Sequence, residues 1–114
     1  MKLSEKRILF TRLLAELVIW ADKNGYDLAL DQVKRTEAEA AANAAKGSGI
    51  RNSLHLLGLA ADLNLYIGGV YQTTTEAHKA IGAKWKTMHP LARWGGDFSK
   101  PDGNHYSLEH NGVK

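Results

Sequence analysis

The stretch SLHLLGLAADLNLYIGGVY, residues 53–71, decides the fold. From Gly58 to Tyr66 its side chains alternate: Leu59, Ala61, Leu63 and Leu65 fall on one side, Ala60, Asp62, Asn64 and Tyr66 on the other. A period of two is that of a strand with one buried face. Gly68-Gly69 then reads as a two-residue hairpin turn into Val70 and Tyr71, so the segment predicts antiparallel pairing. It also sets a carboxylate, Asp62, among leucines and alanines, where an unpaired charge is costly and a partner is required.

Upstream, residues 4–23 carry Phe10, Leu13, Leu14, Leu17, Val18 and Ala21 at helical spacing, with Ser4 as N-cap and Asn24-Gly25 as terminator. Tyr26, Leu28 and Leu30 alternate with Asp27, Ala29 and Asp31, which predicts a half-buried strand. Thr36 and Glu39 stand in capping-box spacing ahead of an alanine-rich second helix to about Lys46, and Gly47-Ser48-Gly49 opens a loop. Downstream, a third helix is expected over residues 75–88, capped by the threonines at 73–75 and closed by His89-Pro90. Trp94 to Phe98 reads as a short strand or turn, Pro101-Asp102-Gly103 as a turn, and Asn104 to His110 as a last strand. This order predicts one α+β domain over residues 1–114, about three helices packed on one face of a mainly antiparallel sheet. The other face is left for a site. On the last strand His105, Ser107 and Glu109 share a face, and if that face joins the one bearing Asp62, imidazole and carboxylate converge.

Composition narrows the chemistry. The 114 residues include no Cys, so disulfides, thiolate-bound metals and thiol nucleophiles are excluded. Any metal must use His, Asp or Glu, and all five histidines (55, 78, 89, 105 and 110) fall in the second half. The formal charge of +3 is scattered among acids, which gives no indication of nucleic-acid binding. The apolar residues of the N-terminal segment are interrupted by Arg12, Glu16 and Asp22, unlike a signal peptide or membrane span. The expectation is a chain made in the cytosol, without stable membrane association and monomeric.

His55, Asp62 and His105 form a set of the kind a catalytic zinc uses, three nitrogen or oxygen ligands with one position open for water. Asp102, three residues before His105, is placed to take a proton from that water. Spacing alone leaves plainer readings open: His55 as a loop histidine, His105 as a polar residue on an exposed strand face, Arg35 as a helix cap or ion-pair partner. His78 is expected at the surface of the third helix and His89 in a structural position beside Pro90. His110 rivals His105 as third ligand but falls on the opposite strand face. Glu109 shares the His105 face and is placed to orient an imidazole. Trp20 and Trp85 read as core, Trp94 as core or cleft wall.

The motif S-x-H-x-x-G-x-A-x-D at Ser53 to Asp62, followed by W-G-G-D-F at Trp94 to Phe98 and D-x-x-H at Asp102 to His105, resembles the VanY-like zinc peptidases. This family of the hedgehog/DD-peptidase fold includes D-alanyl-D-alanine carboxypeptidases and phage endolysins that cut the L-alanyl-D-glutamate bond of peptidoglycan. The resemblance implies that His55, Asp62 and His105 bind Zn2+ and that Asp102 is the general base, where several relatives carry Glu. Arg35, in an R-T-x-x-x-A context, would pair with the substrate carboxylate or stabilise the oxyanion. Ser53 would line the substrate cleft. The implied protein is a phage endolysin acting on bacterial peptidoglycan peptide once the membrane is permeabilised. The alternatives are a D-alanyl-D-alanine carboxypeptidase and an inactive zinc-binding module of the same fold.

Overall fold

A computed structural model describes residues 1–32 and 54–114. The expected second helix from Thr36, the Gly47-Ser48-Gly49 loop, Arg35 and Ser53 lie outside the described residues. Helix α1 spans Leu3–Lys23 and buries Phe10, Leu13, Leu17 and Ala21, the stripe expected from their spacing. Its start corrects the expected cap: Lys2 is the N-cap, its backbone N–H donating to Glu5 Oε1 at 3.1 Å, and Ser4 lies inside the first turn. Glu5, at the third helical position, accepts the N-cap N–H as one half of a capping box and brings an acidic charge to the helix start.

Strand β1 (Asp27–Gln32) follows, and after the region outside the description come the one-turn helix α2 (Leu54–Leu57), strand β2 (Ala60–Ile67) and strand β3 (Val70–Tyr71). A 3-10 turn at Glu76–His78 runs into helix α3 (Lys79–Met88), before strand β4 (Ala92–Trp94), a 3-10 turn at Gly95–Asp97 and strand β5 (His105–Leu108). Among the described residues the sheet order is β1-β2-β5-β4, with β3 also on β2, and every pairing is antiparallel. At the β2–β3 hairpin Gly68 and Gly69 take φ of +58° and +79°, the left-handed pair that a type I′ turn requires.

The alternation of β2 holds in space. Ala61, Leu63 and Leu65 are buried with Phe10 and Leu17 of α1, Ile81 and Trp85 of α3, and Tyr106 and Leu108 of β5. Each large aliphatic or aromatic group so buried contributes about 1.5–3 kcal/mol. The fold is thus α+β, as expected. Strand β1 departs from its pattern at Leu30, which is 62% exposed although its pairing partner Leu63 is fully buried. Among the described residues β1 ends the sheet on this side, and its register shifts between Leu30 and Gln32, so alternation there does not translate into burial. Among the described residues no helix is long and apolar enough to cross a membrane.

Candidate metal centre

Antiparallel pairing sets Asp62 of β2 directly opposite His105 of β5, on the face away from Leu63 and Tyr106. Directly paired residues hold their Cβ atoms about 4.5–5.5 Å apart, so the two functional groups meet without any loop rearrangement. His55 arrives from α2, a helical turn where the sequence suggested a loop. Leu54 anchors that turn in the core, Leu59 N–H donates to Leu54 O at 2.9 Å, and the Arg7 guanidinium of α1 donates to Leu57 O.

The three side chains converge. His55 Nε2 lies 3.4 Å and His105 Nδ1 3.8 Å from Asp62 Oδ1. One ligand atom from each residue falls within 4.8 Å of the others. Both imidazoles are buried, their centroids 5.6 Å apart and their planes at 72°. Asp62 Oδ1 is buried and accepts no hydrogen bond among the described residues. Ligand atoms about 2.1 Å from a tetrahedral zinc lie about 3.4 Å from one another, the separation of His55 from Asp62, while His105 stands slightly wider. A buried carboxylate oxygen without a hydrogen-bond donor, flanked by two imidazole nitrogens at such distances, fits a divalent cation better than it fits a hydrogen-bonded ion pair.

Asp102 is brought close by its turn. The His105 N–H donates to Asp102 O at 3.1 Å, which closes a four-residue turn and holds the two Cα atoms within about 7 Å. The Asp102 side chain is exposed at the rim of a cavity of about 240 Å³ whose walls include Thr73, Thr74, Thr75, His78 and Asn104. The aspartate proposed as base and the histidine proposed as ligand are therefore the two ends of one turn.

Several expected placements are corrected. Glu109 does not face an imidazole of the cluster; its carboxylate pairs with Arg93 at 3.3 Å. His110, expected off the His105 face, does lie away from the cluster: it sits beyond β5 with its Nδ1 3.2 Å from Nζ of the buried Lys6. Burial lowers the Lys6 pKa, and the nearby Glu109 charge opposes that shift. His78 is buried instead of exposed, its Nδ1 2.9 Å from the Tyr106 hydroxyl. Burial pushes the His78 pKa down and the Tyr106 pKa up. Trp85 is core, Trp20 is half-buried and stacks on Tyr26, and Trp94 is core with its indole N–H donating to Gly103 O at 2.7 Å.

Sequence reasoning passed over Phe98, whose ring centroid lies 5.3 Å from that of His105, and Thr75, whose hydroxyl accepts the Gly103 N–H. Phe98 stood in the quoted W-G-G-D-F motif, so the signal was present without a role attached. Thr75 gave only a capping signal, because its partner is distant in the chain.

The family model described as D-alanyl-D-alanine carboxypeptidase matches residues 46–108. Among solved structures, the chain is similar to an L-Ala D-Glu endopeptidase, ChiX, of Serratia marcescens. The likeness has a TM-score of 0.66 at 22% identity and covers 73% of this chain and 67% of that one. No curated protein matches.

Proposed function

The chain belongs to the D-alanyl-D-alanine carboxypeptidase family, and from that premise we propose that it is a zinc-dependent peptidase of bacterial peptidoglycan, a phage endolysin cutting the L-alanyl-D-glutamate bond. The observation that carries the reading is the convergence of His55, Asp62 and His105 around a buried carboxylate oxygen that accepts no hydrogen bond among the described residues. Those three residues would hold the metal, which when bound supplies a Lewis acid that acidifies a water to a pKa of about 7 and polarises the scissile carbonyl. Asp102 takes the proton of the attacking water and hands it to the leaving amine. By their motif positions, Arg35 holds the substrate carboxylate or the developing oxyanion and Ser53 lines the cleft.

The endopeptidase reading is supported by the activity named for the Serratia marcescens fold neighbour, and carboxypeptidase action is the second reading because the family description names it. An endolysin made in the host cytoplasm would reach the wall once the membrane is permeabilised, and a compact monomer suits that route. The test is digestion of purified muropeptides, followed by mass spectrometry, with protein stripped by chelator and then reloaded with zinc. Activity lost and regained with zinc, and products cut after L-Ala, are expected. A free D-Ala product moves the assignment to the carboxypeptidase. Full activity in folded His55→Ala or Asp102→Ala protein overturns the mechanism, and a zinc-loaded protein that cleaves neither bond is the inactive module.

A further inference from the structure

Among the described residues, the turn carrying Asp102 is held by four hydrogen bonds with atoms outside it, one of them from the Leu63 N–H to Asn104 O at 2.8 Å. The Asp102 N–H donates to Gly95 O at 2.9 Å. The next residue, Gly103, is buried; its carbonyl accepts from Trp94 Nε1 at 2.7 Å and its N–H donates to Thr75 Oγ1 at 3.2 Å. A Cβ on Gly103 would stand 2.6 Å from the Thr75 Cα, so the strap between β3 and α3 presses directly on the turn. His105, at the far end, is fixed independently by its pairing with Asp62 in the sheet. Asp102 precedes the strand and depends on this clamp for its position. Of the three contacts on Asp102 and Gly103 themselves, two use a backbone carbonyl or a core indole, and only the third rests on a hydroxyl outside the core.

We propose that Thr75 is a positioning residue: its hydroxyl, by accepting the Gly103 N–H, fixes Asp102 relative to the His55, Asp62 and His105 cluster. The inference rests on the reading of Asp102 as proton acceptor. Replacing Thr75 by Val keeps the shape of the side chain and leaves the part-buried Gly103 N–H without its acceptor, which loosens the turn. A catalytic group displaced by an ångström loses about 100-fold in rate. Thr75→Val is therefore expected to lower kcat by about 10- to 100-fold, with KM within about threefold of the parent, because the loss falls on the chemical step. Zinc affinity, measured by competition with a chromogenic chelator, should stay unchanged because β2 and β5 hold the ligands. Thr75→Ser, which restores the acceptor, should keep kcat within about threefold of the parent.

Wild-type kcat in Thr75→Val, or an equal loss in Thr75→Ser, overturns the inference. So does a zinc affinity that falls in step with kcat, since Thr75 would then be supporting the ligands. If the Val variant does not fold, Thr75→Ala is read by the same criteria. Asp102→Asn is measured alongside: full activity there removes the base assignment itself, whereas an impaired Asp102→Asn beside a fully active Thr75→Val removes only the role given to Thr75.

Discussion

Asp62 and Ser107 each bury a polar side-chain atom, one beside two imidazoles and one without a hydrogen-bond partner among the described residues. Asp62 Oδ1 stands between two imidazole nitrogens, and substituting Asn removes the anionic oxygen while keeping the shape. Asp62→Asn should weaken zinc binding by more than about 100-fold, measured by calorimetric titration of the apo protein, since even residues that merely orient a ligand are worth 10- to 100-fold. Affinity equal to the parent would remove Asp62 from the centre. Ser107 lies two residues beyond His105, fully buried, and its hydroxyl has no hydrogen-bond partner among the described residues. Ser107→Ala should therefore be neutral or stabilising by up to about 1 kcal/mol in urea unfolding. A loss above about 2 kcal/mol would mean that the hydroxyl is satisfied by a group yet to be identified.

At the scale of elements, the 3-10 turn after β4 and the turn before β5 are packed around one indole. Trp94 is buried where α3 passes it at Gly82, and a Cβ on Gly82 would overlap the ring. The same indole holds Gly103, so the close approach of α3 is transmitted to the Asp102 turn. Gly82→Ala is expected to destabilise the fold by about 1–3 kcal/mol in thermal or urea unfolding, the usual cost of overpacking a tight contact. Unchanged stability would show that the ring can shift at no cost. The motif around Trp94 was visible in the sequence, but its function was not. Its glycines look like turn residues, and only the packing shows that one face of the indole needs the space another glycine leaves on a distant helix.

For the whole molecule, stability is coupled to pH and, on the proposed metal site, to zinc. Burial lowers the His78 pKa below its ordinary value of 6.5, so the folded chain keeps this imidazole neutral while the unfolded chain takes up a proton more readily. The resulting stability is complete above about pH 6.5 and is lost as the pH falls through the depressed folded value. The Tm should fall on acidification below that point, and the fall should be shallower in His78→Gln; coincident pH profiles would contradict the assignment. Zinc bound at the proposed site by the folded state alone would add about 2.7 kcal/mol at a hundred times its Kd, so stripping the metal should lower the Tm and graded zinc should raise it. A Tm indifferent to zinc would count against the site. By itself the sequence determined the elements and their faces: the stripe of α1, the alternation of β2, the glycine pair of its hairpin and the carboxylate on the face away from the leucines. These follow from local periods of 3.6 and 2, which a single chain segment displays in full. Only the tertiary structure decided that Asp62 pairs with His105, that His110 and Glu109 turn to Lys6 and Arg93, that His78 is buried, and that Thr75 grips the Asp102 turn. Each of these depends on which strand lies beside which and in what register, a choice made by packing between distant segments that no local period records.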